Sequence, residues 1–495
     1  MSARARILAL DQGTSATKCL LVDDSGTIVS RGSAELEQHH PRPGWVEQDA
    51  EALWESVCAA VDACLADRPD DTVEIVALSS QRESAVAFDH ASGEPLSAVI
   101  GWQDRRTAAK CQALRTPDIA RLVRERSGLP LDPMFSAAKM AWLLGEDEAL
   151  RASARAGRAR LGTVDAFLMR RLCGGDRIEA GNASRTQLLC THAVAWDDEL
   201  LAIFDVPRAA LPAVVASTEP SERITGIARL AGARVCAVLG DSHAALFGHG
   251  ATAPGEVKAT YGTGSSVMGL LQPSAELDPG LCLTIAWQTG RTAFAAEGNI
   301  LATGAALRWL AQLLEIDDDE LAALAARGDA DGVSLVPAFA GLAAPWWDVG
   351  ATAVISGLTM RSNRSSLARA ALESVAHQIA DVLDAFDRRA PVAEELFTDG
   401  GPTRNDVLMQ LQADVLGRPV VRSRDIELSA LGAAHLAGLA AGVWTDDDLA
   451  RLPRHSDRFE PAASFDRTSA RARWLDALER ARFRPATAHH AFTST

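Results

Sequence analysis

One local plan occurs twice in this chain, with about 250 residues between its two copies. In the first half an apolar strand, Ile7–Leu10, enters the polar turn Asp11-Gln12-Gly13-Thr14-Ser15 and returns as Cys19–Val22. In the second half, Val257–Tyr261 enters Gly262-Thr263-Gly264-Ser265-Ser266 and returns as Val267–Leu271. Each copy reads as strand, Gly/Thr turn, strand. Such a duplication predicts two related α/β lobes, because each copy must build its own sheet and core. The stretch Gly248–Gly255 gives the break between them: one lobe over 1–248, a second over 249–480, and a loosely patterned tail over 481–495.

The remaining pattern fits that plan. A helix is predicted near Asp49–Leu65, and a buried strand, Val73–Leu78, ends at Ser79-Ser80-Gln81-Arg82-Glu83. Helical spacing covers about 115–126, 135–145 and 161–173, and a second strand, Arg234–Leu239, ends at Gly240-Asp241. Two strands that stop at polar residues mark the edge where open α/β sheets place their chemistry. In the second half Leu367, Ala371, Val375, Ile379, Val382 and Phe386 recur at helical spacing, as do Val407, Leu408, Leu411 and Val415. Between them a strand runs through Leu396 into Asp399-Gly400-Gly401.

Composition narrows the function classes. Apolar residues make up 47% of the chain and charged residues 23%, enough for two large cores in a globular enzyme. The formal net charge of -16 argues against nucleic acid or an anionic membrane as partner. An anionic ligand would then have to be met by local backbone donors and a few placed cations. None of the eight cysteines forms a CxxC pair, which favours free thiols in a reduced compartment over a zinc or disulfide site. The basic start (Arg4, Arg6) runs straight into Ile7–Leu10 and Asp11, an apolar run too short for a secretion signal. No stretch offers about 18 uninterrupted apolar residues, so a cytoplasmic location is expected.

Several residues stand where chemistry could be done. Glycine in the first turn lets the backbone approach a ligand, amides there can face phosphate oxygens, and Thr14 adds a hydroxyl. Asp11 is placed to hold Mg²⁺ through water. A single turn of this kind is equally an ordinary hairpin; a second one, at Thr263 and Gly264, makes a polyphosphate clamp the better reading. Gly400 and Gly401 leave a flat surface before a helix, where amides favour anions, and Asn405 can either cap that helix or reach a ligand. Asp241 at a strand end can act as a general base toward an alcohol, or as a helix cap. Arg82 and Glu83 supply the donor and acceptor that neighbouring hydroxyls require, and Trp102 could form an apolar wall for a carbon chain; a surface ion pair is the plain alternative. The absence of GxxxxGK[ST] excludes the common P-loop, and the absence of GxGxxG after the first strand argues against a dehydrogenase.

Taken together, "LALDQGTSATKCLLVD", "SSQRESAVAFDHASGEPL", "GWQDRRTA", "DPMFSAAKMAWLL", "NASRTQLL", "VLGDSHAALFGHG", "TYGTGSS", "EGNILATGAALRWL" and "DGGPTRNDVLMQLQADVLGRPVV" resemble the FGGY family of carbohydrate kinases, and its glycerol kinase branch most closely. The resemblance runs over about residues 6–445. It implies two actin-like (ribonuclease H-like) α/β lobes, ATP with Mg²⁺ in the cleft between them, and domain closure during phosphorylation of a terminal hydroxyl. It implies Asp241 as catalytic base, Asp11 near the metal, and Thr14, Ser15, Lys18, Thr263 and Gly264 around the phosphates. Gly304, Arg308, Gly400, Gly401 and Asn405 would form the nucleotide wall. Arg82, Glu83, Trp102, Met134, Ser242 and Ser266 would contact the acceptor, a small polyol or sugar. Members are often dimeric, so a homodimer is among the implied partners. The chain departs from the glycerol kinase pattern where Met134 replaces tyrosine, Ser242 glutamine and Ser266 phenylalanine. Lys18 replaces an arginine and so loses the planar fork. Smaller side chains at three places would admit a four- or five-carbon polyol or a pentulose, as in a xylulokinase. A non-enzymatic actin-like ATPase module is the competing class, and it would show no dependence on an acceptor.

Overall fold

The computed structural model describes residues 6–68, 71–272, 275–389 and 393–484. Of the tail expected over 481–495, residues 485–495 lie outside the described residues, as does Arg4. The chain forms two compact units. One contains the chain up to Thr252 together with Cys282–Ala295 and Glu427–Arg454. The other contains Ala253–Leu281, Ala296–Ile426 and the chain from His455 onward.

The first unit is organised by a five-stranded sheet of β1 (Arg6–Gln12), β2 (Ala16–Asp23), β3 (Ile28–Glu35), β4 (Ile75–Ser80) and β5 (Arg234–Gly240), in the order β5-β4-β1-β2-β3. β1, β2 and β3 form an antiparallel meander, while β1, β4 and β5 run parallel. Apolar residues on both faces of β1 and β2 are fully buried, as expected of strands covered on two sides. The helix Ala50–Leu65 covers one face, capped by Asp49, whose carboxylate accepts from the Ala52 amide at 2.8 Å.

β4 runs to Ser80, two residues past the Leu78 limit drawn from its apolar run. Ser79 and Ser80 are fully buried within the parallel pairing, and the Ser79 hydroxyl has a partner on β1. β5 leads directly into the helix Asp241–Gly248. A second helix of this unit, Leu428–Ala440, is buried on most of its surface and packs on that helix. At their crossing a Cβ on Gly432 would come within 1.9 Å of the Ala244 carbonyl oxygen, so this approach requires glycine. That packing fixes the helix whose first residue is Asp241.

In the second unit, β6 (Val257–Tyr261) and β7 (Ser265–Leu270) form an antiparallel hairpin. β8 (Leu396–Asp399) pairs parallel with β6, β9 (Val420–Ser423) parallel with β8, and β10 (Ser456–Phe459) antiparallel with β9. The hairpin and its two parallel neighbours repeat the connectivity of β1, β2, β4 and β5, which bears out the duplication read from the two turns. The 24-residue helix Arg364–Asp387 is capped by Asn363, whose side chain accepts from the Ser365 and Ser366 amides. The helix Arg467–Arg482 buries Trp474, which donates to the buried Asp381 carboxylate at 2.9 Å. Among the described residues no helix is long and apolar enough to cross a membrane.

Candidate active site

In the first unit the turn between β1 and β2 is held by three buried glutamines. Gln12 Nε2 donates to the Gly13 carbonyl and Gln48 Nε2 to the Thr14 carbonyl, both at 2.7 Å. Gln81 Nε2 donates to the side-chain oxygens of Gln12 and Gln48, at 3.1 and 2.9 Å, and its own oxygen accepts from Ser84 Oγ at 2.7 Å. A trans peptide holds its C=O and the following N–H on opposite sides. Tying down two consecutive carbonyls therefore turns the Thr14 and Ser15 amides the other way, as a phosphate contact needs. Trp102 Nε1 donates to Thr14 Oγ1 at 3.1 Å, so the tryptophan expected as an apolar wall also orients this hydroxyl.

Asp11, near the end of β1, accepts from Ser79 Oγ at 2.8 Å and lies opposite Lys18 in the β1–β2 register. Burial, and then the neighbouring Asp241 carboxylate, push the Asp11 carboxyl up to about 6, against the pull of Ser79 and Lys18. Asp241 is the first residue of its helix, and Gly240 holds the cap position, so the cap reading for Asp241 does not apply. Its Oδ1 accepts from Arg82 Nε at 3.1 Å and from the Ser242 amide at 2.6 Å, while the side chain remains 38% exposed. Arg82 itself is buried, and its other end lies 3.5 Å from His243 Nε2. Beside it Glu83 takes a left-handed backbone, φ +63°, with its carboxylate held by Arg185 Nε at 2.6 Å. Asp11 thus lies beside Lys18 and Asp241, Asp241 is bonded to Arg82, and Thr14 to Trp102, with Glu83 next to Arg82 in the chain. Ser15 is exposed at the turn tip. Met134 is buried, its amide held by Asp132 Oδ1 at 2.9 Å, and Ser242 is buried behind Asp241.

The second unit repeats the carbonyl device with different donors. The Gly262 carbonyl accepts from the Gly304 amide at 3.0 Å and from Thr303 Oγ1 at 3.1 Å. The Thr263 carbonyl accepts from the Thr303 and Ala305 amides, both at 3.0 Å. Again the following amides, of Thr263 and Gly264, are turned the opposite way. Arg308 reaches the Thr263 hydroxyl at 3.3 Å. Gly304, Arg308, Gly401 and Asn405 line one cleft of about 630 Å³, within the range of small-molecule sites. Gly400 precedes it with φ +99°, where a Cβ would lie 2.0 Å from the Tyr261 carbonyl oxygen. Asn405 acts as the cap, its oxygen accepting from the Val407 and Leu408 amides at 2.9 and 3.1 Å. Ser266 donates to the buried carboxylate of Glu297 at 2.8 Å.

Residues 6–248 match the N-terminal domain, and residues 257–441 the C-terminal domain, of the FGGY family of carbohydrate kinases. The chain belongs to this family. It is 42% identical over 490 residues to the apulose kinase of Pectobacterium atrosepticum, covering 97% of this chain and 99% of that one. It is 44% identical over 491 residues to the glycerol kinase of Dechloromonas aromatica, covering 96% and 97%. The crystal structure of Plasmodium falciparum glycerol kinase with ADP superposes with a TM-score of 0.91 at 27% identity, over 97% of this chain and 99% of that one. The actin-like α/β architecture and an ATP-dependent phosphotransferase activity follow from this membership.

Sequence reasoning about this FGGY kinase missed four groups: Ser79, the glutamines Gln12, Gln48 and Gln81, Arg185, and Lys139. Lys139 left a readable signal, a single cation within the apolar Ser136–Glu146 helix, among Ala137, Ala138, Met140 and Ala141. Gln48, Gln81 and Arg185 left none, because they reach partners tens of residues away in the chain, and Gln12 bonds only as part of their network.

Proposed function

We propose that this chain transfers the γ-phosphoryl group of ATP to a terminal hydroxyl of a small polyol. The observation that carries the proposal is the Asp241 carboxylate, held at the end of β5 by Arg82 and the Ser242 amide and still partly open to solvent. Asp241 takes or orients the proton of the acceptor hydroxyl while its oxygen forms the new bond to phosphorus and the β–γ bridge bond breaks. The products are a phosphate monoester, ADP and a proton. Phosphoryl transfer asks a protein mainly for positioning and charge stabilisation, which the turned amides of Thr14, Ser15, Thr263 and Gly264 would supply. The cleft at Gly304, Arg308, Gly401 and Asn405 would take the rest of the nucleotide. Arg82 and Glu83 would give and accept hydrogen bonds at adjacent acceptor hydroxyls, with Met134 and Trp102 against the carbon chain.

The residues fit a magnesium ion that arrives with the nucleotide. No group of three or more His, Cys, Asp or Glu among the described residues could cage a metal, and Asp11 is a carboxylate whose charge is penalised until a cation approaches. Mg²⁺ binds through one or two carboxylates, waters and phosphate oxygens, and when bound it would neutralise charge on the phosphates. Asp11 would hold it.

A second reading, a ketose acceptor of five carbons, is favoured by the match to an apulose kinase along nearly its full length and by the unbranched Met134 in the acceptor region. ADP release measured with glycerol, erythritol, ribitol, xylulose, ribulose and apulose separates the two by catalytic efficiency. Turnover that no acceptor raises above background would refute both and leave the actin-like ATPase class.

A further inference from the structure

Beneath the proposed acceptor contacts lies a lysine whose side chain reaches the backbone of two of them. Lys139 is fully buried, yet its ammonium donates to two backbone carbonyls, that of Glu83 at 3.0 Å and that of Met134. The Glu83 carbonyl also accepts from the buried Ser136 hydroxyl at 3.0 Å. On the other side of the same residue, fully buried Arg185 holds the carboxylate at 2.6 Å and lies over the Phe135 ring, 5.1 Å from its centroid. Glu83 is therefore gripped at backbone and side chain by three donors from two other segments. It needs the grip: a φ of +63° is unfavourable for a residue with a Cβ and persists only where its surroundings impose it.

A buried ammonium is costly wherever its charge does no work. A leucine or methionine would fill this apolar helix face more cheaply, but would take a donor from both carbonyls, leaving Ser136 as the side-chain donor to that of Glu83. We infer that Lys139 is a positioning residue for the acceptor: its ammonium ties the Glu83 turn to the Met134 segment and so sets the distance between the polar and apolar sides of the acceptor pocket. The inference rests on the reading of Glu83 and Met134 as acceptor contacts.

The tie is also sensitive to pH. Burial pulls Lys139 down to about 8, and the charged or titratable groups that face it, Glu83, Asp104, Asp132 and Cys111, all work to keep it protonated. Loss of the proton above that pH removes the charge from both bonds. Acceptor KM should then rise as pH climbs through about 8, with ATP KM unmoved.

The test measures acceptor KM, ATP KM and kcat between pH 7 and 9.5 for the full-length wild type, Lys139→Met, Ser136→Ala and Glu83→Gln. Glycerol and apulose serve as probes, whichever is turned over. Lys139→Met is expected to raise acceptor KM at pH 7 by about tenfold to a hundredfold and to abolish its alkaline rise, because a misplaced contact is costly even when it remains present. A wild-type KM in Lys139→Met, or an alkaline rise that survives the substitution, overturns the inference. Should Lys139→Met fail to fold, Ser136→Ala decides, since it leaves the ammonium as the remaining side-chain donor to the Glu83 carbonyl. A steeper alkaline rise than in wild type supports the tie, and flat profiles in both overturn it. Glu83→Gln separates the two levels: an unchanged acceptor KM there sinks the reading of Glu83 itself, whereas a raised KM beside an unaffected Lys139→Met sinks only the positioning role.

Discussion

Asp11 should weaken the protein it serves. Its carboxyl sits at about 6 against an ordinary value of 3.8, because burial and Asp241 oppose the charge more strongly than Ser79 and Lys18 support it. Between those two values the folded state binds the proton more tightly than the unfolded state does. Stability is thus lost as pH rises through that window, and the whole deficit is present above about 6. Two pKa units correspond to about 3 kcal/mol, an upper figure for a carboxyl that keeps some solvent access. Asp11→Asn removes the charge and keeps an oxygen to accept from the Ser79 hydroxyl at 2.8 Å. It also sets an N–H donor near the Asp241 carboxylate. The variant is therefore expected to be more stable than wild type by up to about 3 kcal/mol at pH 8, with the gain shrinking to about 1 kcal/mol at pH 4.5 and vanishing below about pH 3, where Asp11 is protonated in both states. Urea denaturation followed by tryptophan fluorescence at pH 8 and pH 4.5 measures this. Mg²⁺ with ATP should reverse the order, stabilising wild type more than the variant, and phosphoryl transfer should fall steeply. Equal midpoints at pH 8, or a gain that persists undiminished at pH 4.5, would refute the charge argument.

Three further outcomes follow from the site. Asp241→Asn is expected to bind ATP with wild-type affinity by calorimetry and to lose about a hundredfold to ten-thousandfold in kcat, the usual contribution of a positioned base; full turnover would remove Asp241 from that role. Gly400→Ala is expected to destabilise the second unit by about 2 kcal/mol or more, since φ +99° and a 2.0 Å approach to the Tyr261 carbonyl both exclude a Cβ. Gly401→Ala, whose Cβ would meet nothing within 4 Å, should leave thermal stability unchanged, and equal melting shifts in the two would contradict this. Met134→Tyr, at a position whose backbone is fixed by Asp132 and Lys139, should move the ratio of catalytic efficiencies toward glycerol and away from longer acceptors, whereas an unaltered ratio counts against Met134 as a determinant of acceptor length.

The two Gly/Thr turns were legible in the sequence because a hairpin is a local object: strand, turn and return lie within about 16 residues, and alternation plus glycine announce it. Two strands that end in polar residues were legible for the same reason, and they led to Arg82, Glu83 and Asp241. What holds these residues was not legible. Gln48 reaches the Thr14 carbonyl from beyond β3, and Arg185 reaches Glu83 across about a hundred residues of chain. Each is an ordinary polar residue in its own neighbourhood, and only the folded chain gives it a partner. The same holds for Glu427–Arg454, whose helix packs within the first unit, where Gly432 lets it touch the Asp241 helix.

The two kinds of residue also carry different energetic roles. The two carboxylates that would meet the nucleotide's metal and the acceptor, Asp11 and Asp241, are partly open, and Asp11 is electrostatically uncomfortable, as its raised carboxyl shows. The groups behind them are buried: Gln12, Gln48, Lys139 and Ser136 on backbone carbonyls, Gln81 on the other two glutamines, and Arg185 on the Glu83 carboxylate. Backbone carbonyls are the more demanding partners, since a buried one left without a donor costs about 1–3 kcal/mol whatever side chain its residue carries. A change at Gln12 or Gln48 should therefore disturb the phosphate turn while every residue that would touch ATP stays in place. In both units the turn is steered through two consecutive carbonyls, by glutamine side chains in one and by the start of a helix in the other. The duplicated feature is the direction of the amides rather than the residues that set it. That explains how the echo between the halves survives in the turns while the surrounding sequence has diverged.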